Sequence, residues 1–219
     1  MESFSDINDK YNTEFTNRLF ENKHIFYEIY EACGNKFSSP CGSYLFDGQT
    51  YKYCDLMYKK QELLYESVKN VSTVLEIGVY MGHSILIMLL SNPDLKITCI
   101  DIDDTFALPA VTVLNRYFDN AITFIHSDSL EALTTLSNNK SVFDFFHVDG
   151  FHENDYIRNE FLMLINIKKN NPADNIFRVL FDDADCLQEL QINIWLSLNV
   201  IKIIRPSCPW RNVYFEIQL

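Results

Sequence analysis

The chain has 219 residues, 47% hydrophobic and 22% charged, with a formal net charge of −12. That length and balance predict one substantial α/β domain with a real core, and no apolar run approaches the roughly 18 residues of a membrane span. The acidity disfavours a nucleic-acid partner, whose phosphates require a basic patch; "KK" at 59–60 and at 168–169 are isolated pairs expected on solvated helix faces.

The opening "MESFSDINDKYN" is acidic and polar, which predicts neither a secretory signal nor a transit peptide, and hence a cytoplasmic location. Six cysteines (33, 41, 54, 99, 186 and 208) show no C-x-x-C spacing, so reduced thiols are expected rather than a zinc site or a disulfide framework. In 13–32, Phe15, Leu19, Phe20, Ile25, Phe26 and Ile29 recur at helical spacing. Residues 38–50 carry Pro40, Gly42 and Gly48 and predict a loop, and 54–68 predict a second helix. Residues 1–68 are thus expected to form an N-terminal helical cap, its aromatic side chains suited to a lid or to a homodimer contact. Residues 69–219 are expected to form the main domain.

From residue 71 onward, short β-branched or aromatic runs (VSTVLEI, KITCI, AITFI, VFDFFHV, IFRVLF) alternate with stretches able to form helices. That alternation predicts βαβ units and a parallel sheet. The last two runs, 199–205 and 212–219, are separated only by "PSCPW" and adjacent residues, too short for a crossover helix, so an antiparallel pair at the sheet edge is expected. The predicted fold is α/β: a Rossmann-like, doubly wound, seven-stranded sheet, mostly parallel, with an antiparallel C-terminal edge strand. Ligands of such sheets bind at the carboxyl ends of the strands.

The first strand runs into "LEIGVYMGHS" (75–84), where Gly78 and Gly82 permit a tight turn and the next helix should begin near His83 and Ser84. The spacing G-x-x-x-G departs from the dinucleotide fingerprint and argues against a nicotinamide cofactor. Asp101, at the end of the second strand, follows Gly78 by 23 residues, where an acid can grip a ribose diol. After the third strand, "HSDS" offers Asp128 either to an exocyclic amine or as a helix cap. Together these stretches resemble the class I S-adenosylmethionine-dependent methyltransferases over about residues 60–219. The resemblance implies cofactor contacts from Glu76, Gly78, Tyr80, Gly82 and Ser84 of the first motif, and from Asp101, Asp128, Ser129 and Asp149 at later strand ends.

The fourth strand ends at Asp149 in "VDGFH", and the fifth in "VLFDDAD" with Asp182 and Asp183. Carboxylates converging from neighbouring strands repel unless a cation joins them, and oxygen ligands select a hard ion, Mg²⁺ before Ca²⁺ or Mn²⁺. The pattern is similar to the metal-dependent small-molecule O-methyltransferases, closest to the macrolide-sugar and cephalosporin-hydroxylase-like group with its D-G-x-H, and more distantly to the catechol type. It implies Asp149, Asp182 and Asp183 as metal ligands and His152 as general base. The shorter Asp182, where that group carries Glu, leaves direct ligation open. His83, His126 and His147 are expected to be ordinary, His147 as a core histidine, and Tyr156 either orients His152 or packs.

The expected reaction is methyl transfer from S-adenosylmethionine to a hydroxyl of a small molecule, with a sugar or nucleotide sugar among the candidates. Two alternatives are a phosphatase of the haloacid dehalogenase type using Asp101 and Asp103 of "CIDIDDTFA", and a cofactor-binding scaffold without chemistry.

Overall fold

Strands form where β-branched and aromatic residues concentrate. The computed structural model describes residues 4–41, 43–151, 153–171, 173–182, 202–203 and 212–219. The strands are β1 (Thr73–Ile77), β2 (Lys96–Asp101), β3 (Ile122–His126), β4 (Phe145–Val148), β5 (Ile176–Phe181), β6 (Lys202–Ile203) and β7 (Val213–Gln218). The helices are α1 (Phe4–Tyr11), α2 (Glu14–Glu21), α3 (Lys23–Ala32), α4 (Tyr58–Ser67), α5 (His83–Ser91), α6 (Asp104–Tyr117), α7 (Ser129–Asn138) and α8 (Asn154–Lys168).

The seven strands form one sheet in the order β3-β2-β1-β4-β5-β7-β6. β1 runs parallel to β2 and β4, and β4 parallel to β5, while β7 is antiparallel to β5 and to β6. The expected C-terminal antiparallel pair is therefore present, with β6 outermost and the C-terminal β7 one place in. Chain order reverses between β1 and β4, which makes their carboxyl ends the topological switch point.

By contacts the chain divides into two compact units. The second comprises Val71–Gly78, Lys96–Ile102 and Ile125–Leu219. Its core joins Leu75 and Ile77 of β1, Phe146 and Val148 of β4, and Phe177, Val179 and Phe181 of β5 to Ile157, Phe161 and Leu164 of α8. α8 thus buries one face while Leu162 stays exposed, the amphipathic stripe of a sheet-covering helix.

The first unit comprises Met1–Asn70, Val79–Leu95 and Asp103–Phe124. Within it α5 is buried from His83 to Leu90, as an all-round apolar helix must be. Its aromatic core stacks Phe4 on Tyr53 and Phe26 on Tyr51. Three details differ from the expectation. α1 forms in a stretch read only as polar, because Phe4 and Ile7 both bury on one side. Residues 13–32 make two helices: Asn22 leaves helical geometry (φ −105°, ψ 15°), and its side-chain amide donates to Arg18 O at 2.8 Å, competing with the backbone ladder. α4 starts only at Tyr58, since Cys54 N pairs with Leu45 O at 2.9 Å and holds the preceding turn out of the helix.

Among the described residues no helix is long and apolar enough to cross a membrane. Cys33, Cys41, Cys54 and Cys99 are free thiols.

Candidate functional site

At the switch point, within the second unit, the end of β1 is stitched at backbone level to β2 on one side and to β4 on the other. Gly78 N donates to Ile100 O at 2.9 Å and Asp149 N to Ile77 O at 2.8 Å. Gly78 has φ +86°, and a Cβ built on it would lie 2.0 Å from Asp149 O and 2.9 Å from Gly150 N. Nothing larger than hydrogen fits, so the edge of the sheet is a bare backbone ledge at this point. Gly150 is less tight, its ideal Cβ 3.0 Å from the Ile77 side-chain atom Cγ2.

The expected acids take up positions around that ledge. Asp101 ends β2, half-buried, and its carbonyl accepts from Ser127 N at 3.0 Å, fixing the turn after β3. Asp149 is half-buried at the end of β4, and Asp182 is 3% exposed at the end of β5. The register Val148↔Phe181 places these two as successors on neighbouring parallel strands, and Asp182 N donates to Val148 O at 2.8 Å. Asp183 and His152 lie outside the described residues. Among the described residues no group of three or more His, Cys, Asp or Glu side chains could hold a metal ion.

Asp128 caps α7, Oδ1 accepting from Leu130 N at 2.9 Å and Glu131 N at 3.3 Å, and its Oδ2 accepts from the Tyr156 hydroxyl. Beside it, the Ser129 hydroxyl donates to Oε1 of Glu160, which is fully buried on α8. Burial pushes the Glu160 carboxyl up to about 7; the Ser129 hydrogen bond opposes this and the Asp128 charge adds to it. Glu76 is fully buried and faces His147 on β4, Oε1 to Nδ1 at 2.8 Å. Sequence reasoning found neither Glu160 nor the Glu76–His147 pair, because the partners are 31 and 71 residues apart and only the sheet brings them together.

The rest of the first motif belongs to the first unit. Tyr80 has a left-handed φ of 47° and its hydroxyl accepts from Ser38 N at 2.9 Å. Gly82 caps α5 at φ 65°, with its N donating to Val79 O at 2.8 Å. Ser84 is buried in the first turn. His83 is enclosed between Phe26 and Phe46, with Ser43 Oγ on Nδ1 and the Tyr51 hydroxyl 2.8 Å from Nε2. Burial pushes its imidazole down to about 3, so it stays neutral and structural.

A mostly parallel seven-stranded sheet in the order β3-β2-β1-β4-β5-β7-β6, with β7 antiparallel, is a Rossmann-like methyltransferase fold. A Staphylococcus aureus protein described as a candidate caffeoyl-CoA O-methyltransferase superposes over 98% of this chain and 96% of its own, with TM-score 0.57 and 16% identity. An O-methyltransferase from Bacillus cereus, solved in complex with SAH, covers 90% of this chain and 91% of its own, with TM-score 0.59 and 12% identity.

The O-methyltransferase family model matches residues 61–185, and the chain belongs to that family. In Arabidopsis thaliana, a protein named as a candidate caffeoyl-CoA O-methyltransferase is 39% identical over 95 residues, 39% of this chain and 41% of that protein. The tapetum-specific methyltransferase 1 of the same plant is 34% identical over 102 residues, 45% of this chain and 44% of that one. The matched stretch thus spans less than half of either relative. The phosphatase alternative gains no support: Asp103, its second acid, accepts from Thr105 N at 2.9 Å as the cap of α6.

Proposed function

We propose that the chain transfers the methyl group of S-adenosylmethionine to a hydroxyl of a small molecule, with the help of a hard divalent cation. The observation that carries this reading is the Gly78 ledge, where an added Cβ would lie only 2.0 Å from Asp149 O and no side chain fits, in a chain of the O-methyltransferase family. A nucleoside-bearing ligand is met by bare backbone at such a switch point.

The residues present fit that donor. Asp101 ends β2, where its carboxylate binds the ribose diol, and Asp128 with Ser129 opens α7 for the adenine. Glu76, Gly78, Tyr80, Gly82 and Ser84 serve the methionine half. Asp149, Asp182 and Asp183 are the groups assigned to the cation; two of them succeed paired residues on β4 and β5, and oxygen donors suit Mg²⁺. A bound cation of this kind lowers the pKa of a coordinated hydroxyl. His152 takes the acceptor's proton, as an imidazole titrating near neutrality can. Residues 1–68 are assigned to acceptor choice, and 69–219 to the transfer itself. The names of the relatives favour a phenolic acceptor over the sugar hydroxyl.

Two measurements test the reading. Calorimetric titration with S-adenosylhomocysteine should show binding. Methyl transfer from labelled donor to phenolic and sugar hydroxyls should need Mg²⁺ after chelation and fall at least about a hundredfold in His152→Ala. Absence of both binding and transfer refutes it, and binding without transfer to any hydroxyl would favour the scaffold.

A further inference from the structure

A buried carboxylate at this edge has an acceptor left over. Glu76 and His147 are register partners across β1 and β4, both fully buried, with Oε1 and Nδ1 2.8 Å apart. A carboxylate only accepts, so with Glu76 ionised the hydrogen sits on Nδ1 and the contact fixes both the tautomer and the carboxylate plane. The other oxygen, Glu76 Oε2, is buried without a hydrogen-bond partner. Its neighbour on the opposite side is Cys99, the register partner on β2. Burial, with the Glu76 and Asp101 charges adding, pushes that thiol well above its ordinary range, so it brings no charge. An ionised oxygen left unpaired in a protein interior is costly, and the partner that relieves it is a cationic donor. Glu76 is the penultimate residue of β1 and precedes the Gly78 ledge by two residues, about 7 Å of extended chain.

We propose that His147 is a positioning residue that acts through Glu76: by engaging Oε1 it presents Oε2 to the α-ammonium group of the methyl donor. This rests on the function proposed above. Among the donor's groups, the ammonium alone combines positive charge with N–H donors; the sulfonium has no hydrogen to give, and the ribose and adenine are neutral. His147 thereby sets affinity for the amino-acid half of the cofactor without touching it.

The test titrates the full chain with S-adenosylhomocysteine and with its des-amino analogue, in which hydrogen replaces the α-ammonium group. Wild type should prefer the former by about tenfold to a hundredfold. His147→Phe should lose most of that preference while binding the analogue unchanged, and His147→Gln, which keeps a donor for Oε1, should restore it. Glu76→Gln, which removes the charge and keeps an acceptor for the ring, should also lose the preference. It stands in as the reporter if circular dichroism shows His147→Phe unfolded. Equal loss of both ligands in folded His147→Phe, or a wild type that does not discriminate, overturns the positioning role alone. A wild type that binds neither ligand overturns the methyltransferase reading itself.

Discussion

The Tyr156 hydroxyl donates to Oδ2 of Asp128, while Oδ1 of the same carboxylate caps α7 through Leu130 N and Glu131 N. One side chain therefore fixes the first turn of α7 and, through Tyr156, the first turn of α8. The Ser129–Glu160 contact repeats the tie one residue further on. Asp128 is both a structural cap and a candidate adenine contact, because a carboxylate has about four lone-pair sites and three are engaged.

Separating those uses is a matter of substitution. Asp128→Asn keeps an N-capping oxygen and should lower stability by less than about 1 kcal/mol, whereas Asp128→Ala should cost about 1–2 kcal/mol. Tyr156→Phe, which removes only the donor to Oδ2, should cost about 1 kcal/mol. Urea denaturation checks all three, and equal costs for Asn and Ala would show that the cap contributes nothing.

Two buried groups shape the pH dependence of stability in opposite senses. His83 is held near 3 from an ordinary 6.5, so the unfolded chain binds the extra proton between those values and stability falls as pH drops from 6.5 towards 3. Glu160 is raised to about 7 from 4.5, so the folded chain binds the extra proton and stability falls as pH rises from 4.5 through 7. Each slope is about 1.4 kcal/mol per pH unit. They cancel between 4.5 and 6.5, where stability should be flat. Glu160→Gln should remove the loss between 6.5 and 7 and uncover the His83 slope, so that stability falls with acid from 6.5 downward instead of staying flat to 4.5; denaturant midpoints across pH 4 to 8 will show this.

Much of this architecture was legible in the chain. "IFRVLF" is β5 residue for residue, and α5 begins at His83, because β-branched runs and a glycine turn are local signals. The Gly78 requirement was readable as a glycine directly after an apolar strand. What makes it absolute, the Asp149 carbonyl, comes from 71 residues away in sequence. α1 escaped because two apolar side chains in eight residues make a faint period. Glu160 looked like one more helix-face acid; only the packing of α8 buries it. His147 showed its place through alternation with Asp149, but not its partner Glu76. Asp149 and Asp182 are neighbours at a strand edge, as the apolar-then-acid pattern implied.

At the other end of the sheet, Lys168 is buried and paired with Asp174 at 2.7 Å, while Arg178 shares that carboxylate at 2.8 Å. Burial works to raise Asp174, but hydrogen bonds from Lys168, the Ile176 amide and Arg178 outweigh it and hold the acid at about 2. Removing either member has unequal consequences. Asp174→Ala strands the buried ammonium and should cost about 3 kcal/mol. Lys168→Met removes the charge from the interior while Arg178 still serves Asp174, and should cost less than about 1 kcal/mol. Thermal unfolding of both variants measures the difference; similar losses would mean that the pair matters for its attraction rather than for its burial.

Gly78 and Gly34 make a controlled comparison of the ledge. Both have positive φ, +86° and +72°, so alanine at either meets the left-handed penalty of about 1–2 kcal/mol. Around Gly34 nothing lies within 4 Å of the added methyl, so Gly34→Ala should cost that penalty and no more. At Gly78 the methyl would meet Asp149 O at 2.0 Å, a backbone atom held by its own strand, so β1 and β4 must part at the switch point to admit it. Gly78→Ala should therefore lose at least about 2 kcal/mol beyond Gly34→Ala. In whatever fraction stays folded at low temperature, S-adenosylhomocysteine binding should be abolished, while Gly34→Ala binds as wild type. Equal destabilisation by the two alanines would mean that the strand ends yield easily, and the ledge would then be a soft feature unable to exclude side chains from a cofactor's path.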